Sequence, residues 1–174
     1  MKFHLETTEI FIPDGVSVEE ALSRTTHLCI AAHQDDIEIM AALPILESFQ
    51  QEDKWFTGVV VTNGRGSPRD GIYEKYTDDE MRAVRFKEQR KAAMIGEYSA
   101  QVMLDYPSSA VKDGSNILPV EDFIALLKAT KPNYVYTHNL ADKHATHVAV
   151  AVKVIEALRN LQKDVSLKKV YGCE

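Results

Sequence analysis

The 174-residue chain is short of cysteine: it has two, Cys29 and Cys173. They form neither a CxxC pattern nor a disulfide framework, so two free thiols in a reducing compartment are expected. It has no long basic run. Lys and Arg number 20 against 26 Asp and Glu, for a formal net charge of -6. A protein that tracks phosphates carries the opposite balance, so nucleic acid is set aside as a partner. No apolar run approaches the ~18 residues of a membrane span, and no membrane partner is expected. Met1–Glu6 lacks an apolar core of signal-peptide type, which makes the cytoplasm the expected location. Repeats and low-complexity tracts are missing too. What is there is an ordinary globular composition, 45% hydrophobic and 26% charged, in a length that suits one domain over residues 1–174 with a real core.

The pattern along the chain is strand and helix in alternation. Phe3–Ile12 alternates weakly and ends at the turn signal Pro13-Asp14-Gly15. Ser17-Val18-Glu19-Glu20 opens a short helical turn. Strands are predicted at Thr26–Ala32, Trp55–Thr62, Gln101–Asp105, Asn133–Thr137 and Leu167–Cys173. The run Val59-Val60-Val61 suits a parallel strand buried on both faces. Helices are predicted at Asp36–Gln51, kinked or divided by Pro44, at Asp79–Gly96 with Gly96 as its C-cap, at Pro119–Thr130, and at His144–Leu161. The second of these spaces Met81, Val84, Ala92, Ala93 and Ile95 for burial, and the last puts Val148, Val152, Ile155 and Leu158 on one face. Asn63–Pro68, residues 69–78, Tyr106–Ser109 and His138–Lys143 read as loops. Such alternation implies right-handed βαβ crossovers, hence a Rossmann-like three-layer α/β/α fold with a mainly parallel sheet. The last strand starts just as the sequence stops, and a native chain continuing past Glu174 is an open expectation.

Two segments carry chemistry. Leu28–Ala32 empties into His33-Gln34-Asp35-Asp36-Ile37-Glu38, and the strand Asn133–Thr137 empties into His138-Asn139-Leu140-Ala141-Asp142-Lys143-His144-Ala145-Thr146-His147. Both lie beyond the C-terminal ends of strands, where open α/β sheets keep their ligands. Zinc takes imidazole nitrogen and carboxylate oxygen, and a catalytic site leaves one position open. His33 with one of the two aspartates, and a histidine from the second segment, make a two-His, one-carboxylate set. His144 and His147 share a helical face, so one can ligate while the other reaches substrate. Taken singly, each segment also has a plain reading: an Asp-Asp pair opening a helix is an ordinary N-cap. The loops Asn63-Gly64-Arg65-Gly66 and Tyr106–Ser109 would wall the pocket. Arg65 and Arg69 would read a charged group on a ligand or be solvated.

These residues resemble the LmbE-like, or PIG-L, family of metal-dependent N-acetylglucosaminyl deacetylases. The family's Ala-His-Pro-Asp-Asp-x-Glu is matched by Ala32–Glu38 with Gln34 in place of Pro, and its Thr-x-Gly by Thr62-Asn63-Gly64. Its Arg-x-x-Glu with a following Gly is matched by Arg85–Glu88 and Gly96, and its His-Pro-Asp-His by His144–His147. The resemblance covers residues 26–174. It implies a hydrolase that removes the N-acetyl group of a small N-acetylglucosamine conjugate, releasing acetate, with Zn2+ as cofactor and Fe2+ as the alternative. It implies His33, Asp36 and His147 as metal ligands, Asp35 as general base, and His144 as general acid or as the cation that steadies the oxyanion. Arg85 would bind substrate, with Asn63 and Gly64 beside it. Glu38 would support the site from behind. Thr146 departs from the motif's Asp and leaves His144 with a weaker partner, for which Asp142 is the expected compensation. Two other readings stand beside this one: a carbohydrate- or metal-binding protein with a decayed site, and another metal hydrolase such as a phosphoesterase. A homo-oligomer is left open.

Overall fold

The computed structural model describes residues 1–161 and 167–174. The described elements are β1 (Glu9–Phe11), α1 (Val18–Ser23), β2 (His27–Ala31), α2 (Asp36–Met40), α3 (Ala42–Ser48), β3 (Phe56–Thr62) and α4 (Asp78–Ile95). They continue with β4 (Ala100–Tyr106), α5 (Ser108–Lys112), α6 (Leu118–Thr130), β5 (Tyr134–His138), α7 (Ala145–Asn160) and β6 (Lys169–Cys173). One sheet has the order β1-β4-β3-β2-β5-β6. The pairings β2–β3, β3–β4, β2–β5 and β5–β6 are parallel, and β1 runs antiparallel along β4. The mainly parallel α/β architecture expected from the sequence is the one found.

Alternation explains the layers. On one face Leu28, Ile30, Val59, Val61, Val102, Leu104 and Val135 pack under α6 and α7. On the other, Cys29, Ala31, Phe56 and Val60 meet Ile37, Ala41 and Ala93 of the α2–α3–α4 layer. Every residue of β2, β3 and β4 is buried. Cys29 is 0% exposed in this core and takes no part in the site.

Two local expectations are met with a difference in detail, and two need correction. The helix before β3 divides at Ala41, and Pro44 falls within the first turn of α3, where a missing N–H costs no intrahelical bond. Tyr106–Ser109 is not all loop, because α5 begins at Ser108. Gly96 does cap α4, but in right-handed geometry; the left-handed residue is Glu97, at φ 51°. The helix faces are rotated. Helix α4 buries Met81, Phe86, Gln89 and Ala93, while Ile95 is exposed. Helix α7 buries Val150, Ala151, Lys153, Val154 and Ala157, and Val152 is half exposed. The chain takes up β2, β3 and β4 in one direction and then returns to β5 on the far side of β2. The ends of β2 and β5 therefore border the crevice where the strand order reverses.

Candidate metal centre

Strand β2 ends at Ala31 and delivers His33 and Asp36 into that crevice; β5 ends at His138, and the start of α7 beyond the next loop carries His144 and His147. His33 Nδ1 lies 3.1 Å from His147 Nε2 and 3.4 Å from Asp36 Oδ2. The third side, His147 Nε2 to Asp36 Oδ2, is 3.5 Å. At zinc's usual bond lengths the edge of a tetrahedral ligand set is about 3.3–3.5 Å, so these three atoms outline one face of such a set. The donors suit zinc or iron(II), since imidazole and carboxylate serve both.

The surroundings prepare each donor. His147 Nδ1 donates to Asp142 Oδ2 at 2.8 Å, which leaves the Nε2 lone pair facing His33 and Asp36. Asp142 Oδ1 accepts the backbone N–H of His144 at 2.7 Å. Asp142 thus serves His147 and the start of α7, and does not supply the His144 ring with the partner expected from the sequence. Thr146 is buried against the cleft beside them. Burial pushes the Asp36 carboxyl up, but hydrogen bonds from His33, its backbone N–H at 2.6 Å among them, outweigh it and hold the group well below the usual carboxylate range. Of these, the backbone N–H donates whatever the imidazole tautomers are. His144 caps α7 and stays exposed, its ring 4.4 Å from that of His147 and 5.0 Å from that of His33. Burial and then the neighbouring His147 and His33 lower its pKa, which favours the neutral imidazole.

Asp35 stands apart from the ligands. It precedes α2 in left-handed geometry, at φ 86°, which turns its carboxylate out of the helix end that Asp36 enters. Arg85 of α4 meets it: Nη2 donates to Asp35 Oδ2 at 2.8 Å and to Gln34 O at 2.5 Å, while Nη1 pairs with Glu88 at 2.7 Å. Gln89 Oε1 accepts the Asp35 backbone N–H at 3.3 Å. Gln34 packs inward, and its Nε2 donates to Thr62 O at 3.0 Å. Gly64, at φ 70°, permits this packing, since a Cβ there would lie 2.6 Å from Gln34 Oε1 and 3.0 Å from Arg85 Cβ.

A cleft of about 470 Å³ opens over the donors, walled by Gly64, Gly66, Ser67 and Pro68 on one side and Ser108 and Lys112 on another. His33, Asp35, Asp36, Arg85, His144 and His147 all line it. Asn63 differs from the expectation: its Oδ1 accepts the Arg65 N–H at 3.1 Å, so it shapes its own loop. Arg65 and Arg69 pair with Asp79 and Asp78 at the start of α4. Glu38 sits behind the site. Its Oε1 accepts from Gln89 Nε2 at 2.8 Å and from the Tyr98 hydroxyl at 3.0 Å, and burial raises its pKa. Two residues in this layer have no assigned role in the sequence reading. Gln89 joins Asp35 to Glu38, and nothing but its burial on α4 marks it. His138 lies under the donors, 3.4 Å from Asp36 Oδ2; a histidine directly after the strand Asn133–Thr137 is the available signal.

The sequence model described as PIG-L, GlcNAc-PI de-N-acetylase, matches residues 28–158. No curated protein matches the chain by sequence. Among solved structures the chain is similar to N,N'-diacetylchitobiose deacetylase from Pyrococcus horikoshii, with TM-score 0.68 and 21% identity over 80% of this chain and 51% of that one. It is similar to a conserved protein from Thermus thermophilus, with TM-score 0.67 and 19% identity over 86% and 66%. A 4-carboxy-2-hydroxymuconate hydratase from Pseudomonas putida gives TM-score 0.67 and 18% identity over 85% and 65%. At these identities the likeness is one of fold, and the chain spans 51% to 66% of these proteins' lengths. The family match takes in most of the chain and both polar segments, and by it the chain belongs to the PIG-L family.

Proposed function

We propose that this domain is a metal-dependent N-deacetylase that hydrolyses the acetamide of an N-acetylglucosamine-type conjugate and releases acetate. The observation that carries the reading is the triangle His33 Nδ1, Asp36 Oδ2 and His147 Nε2, with sides of 3.1, 3.4 and 3.5 Å, on the floor of an open cleft. Those three residues would hold the ion, zinc or iron(II). Bound there, a divalent ion supplies Lewis acidity, polarising an amide carbonyl and lowering the pKa of water from about 15.7 toward ~7.

The chain's own groups do the rest. Asp35 lies next to a ligand and lines the same cleft, where it would accept a proton from the attacking water. Arg85 holds that carboxylate through an ion pair at 2.8 Å. His144, which lines the cleft, would offer a ring N–H to the oxygen on which negative charge develops. When the C–N bond breaks, the nitrogen takes up the proton that Asp35 collected, and amine and acetate leave. General acid–base help of this kind is worth ~10²–10⁴-fold in rate. The loop Gly64–Pro68 and helix α5 would enclose the sugar.

The fold alone does not choose this reaction, since a hydratase shares it. The family match and a base beside a single-metal donor set favour amide hydrolysis. A phosphoesterase more often uses two metals, and the triangle has donors for one. The test is acetate release from a panel of N-acetylglucosamine conjugates, with metal analysis of the same sample. Bound metal with release from one class of conjugate supports the reading. Bound metal with no release across the panel would favour a binding protein.

A further inference from the structure

We infer that His138 is a positioning residue of the metal centre: it ties the end of β2 to His147 and is not itself a ligand. The inference rests on the metal site read above. By distance alone His138 qualifies as a ligand, because it groups with Asp36 and His147 as a donor set. Its hydrogen bonding says otherwise. His138 Nε2 accepts the backbone N–H of Ala32 at 2.8 Å. The same nitrogen is 3.4 Å from Asp36 Oδ2, and it cannot accept from the amide and donate to the carboxylate at once. The shorter contact, to an amide that can only donate, decides. The ring's proton is then on Nδ1, and the Nε2 lone pair is committed to the backbone.

The place of that bond gives it a function. The paired residues of β2 and β5 end at Ile30 and Thr137. Ala32 lies past that ladder and immediately before His33. Its carbonyl is held by β3, accepting the Thr62 N–H at 2.9 Å. Its N–H faces β5, where the His138 side chain takes the place of a backbone acceptor. Ala32 is fully buried, so without His138 that N–H has no water to turn to. Meanwhile the His138 ring lies flat on His147, with centroids 4.0 Å apart and planes 11° from parallel. One buried side chain, 3% exposed, therefore sets the backbone that launches His33 and the plane of the ring that completes the triangle.

The test is metal binding by the purified chain, with no substrate. Co2+ absorption reports coordination geometry, and Zn2+ competition reports affinity. His138→Gln keeps an acceptor near the Nε2 position, and His138→Ala removes it. The alanine variant should bind zinc ~10–100-fold more weakly, as loss of outer-shell support does, and the glutamine variant should recover most of the affinity and the wild-type Co2+ spectrum. If the alanine variant does not fold, His138→Asn, too short to reach Ala32, takes its place with the same expectation. Equal loss in the glutamine variant, with an altered Co2+ spectrum, would make His138 a ligand. Wild-type affinity in the alanine or asparagine variant would make it a bystander. Either result overturns the inference. A wild-type chain that binds neither metal overturns instead the proposed function on which it rests.

Discussion

Asp142 Oδ2 accepts a hydrogen bond from His147 Nδ1 at 2.8 Å, in a loop that brings the carboxylate back onto the first turn of α7. The bond does for His147 what the metal cannot do for itself: it fixes which nitrogen keeps its lone pair. Asp142→Ala should lower zinc affinity by ~10–100-fold. Equilibrium competition with a chromophoric chelator measures it. Unchanged affinity would remove Asp142 from the site.

Asp35 and Asp36 are neighbours with opposite assignments. Asp35→Asn should leave one metal bound per chain and cut turnover by ~10²–10⁴-fold. Asp36→Asn should lose the metal. Metal analysis beside an acetate assay separates the two. If Asp35→Asn is the variant that loses the ion, the assignments are reversed.

Gly64 is tested by stability. Its φ of 70° and the 2.6 Å approach of Gln34 Oε1 to the position of a Cβ make Gly64→Ala doubly costly. A loss of ~1–3 kcal/mol is expected for the backbone strain alone, read by urea denaturation. A change under ~0.5 kcal/mol would contradict both the left-handed backbone at Gly64 and the close approach of Gln34.

Glu38 gives a pH signature. Burial raises its pKa in the folded chain above the unfolded value. The folded state therefore binds the proton more tightly, and that contribution to stability is complete below the unfolded pKa and lost as pH rises through the folded one. Glu38→Gln keeps an acceptor for Gln89 and Tyr98 and removes the titration. The variant should gain on the wild type as pH rises from ~4 to ~7, across the carboxylate range, in paired urea titrations. A constant difference across that range would count against a buried, ionising Glu38.

Much of this was legible in the sequence, for reasons that differ by residue. The apolar runs of β2 and β3 announce strands buried on both faces, and His33–Asp36 directly after β2 marks a strand-end site. The partnership with His144–His147 follows from alternating strands and helices. What was not legible depends on contacts distant in sequence. The acceptor for the Ala32 N–H is a side chain on β5, so His138 reads as an ordinary loop-edge residue until the two strands are paired. Gln89 looks like one more polar residue of α4, and only the fold buries it between Asp35 and Glu38. The helix faces differ from the hydrophobic pattern because Gln89 and Lys153 are buried polar residues; Lys153 reaches the carbonyls of Asp113 and Asn116 at 3.0 and 2.7 Å. A hydrophobic pattern gives no weight to such positions.

The central claim is that His33, Asp36 and His147 hold one ion on which amide hydrolysis depends. Stripping the chain with a chelator and titrating zinc back while following acetate release from an N-acetylglucosamine conjugate tests it most directly. The account predicts no release from the stripped chain and recovery that saturates at one zinc per chain. Release that survives stripping, or recovery that needs two ions, would contradict it.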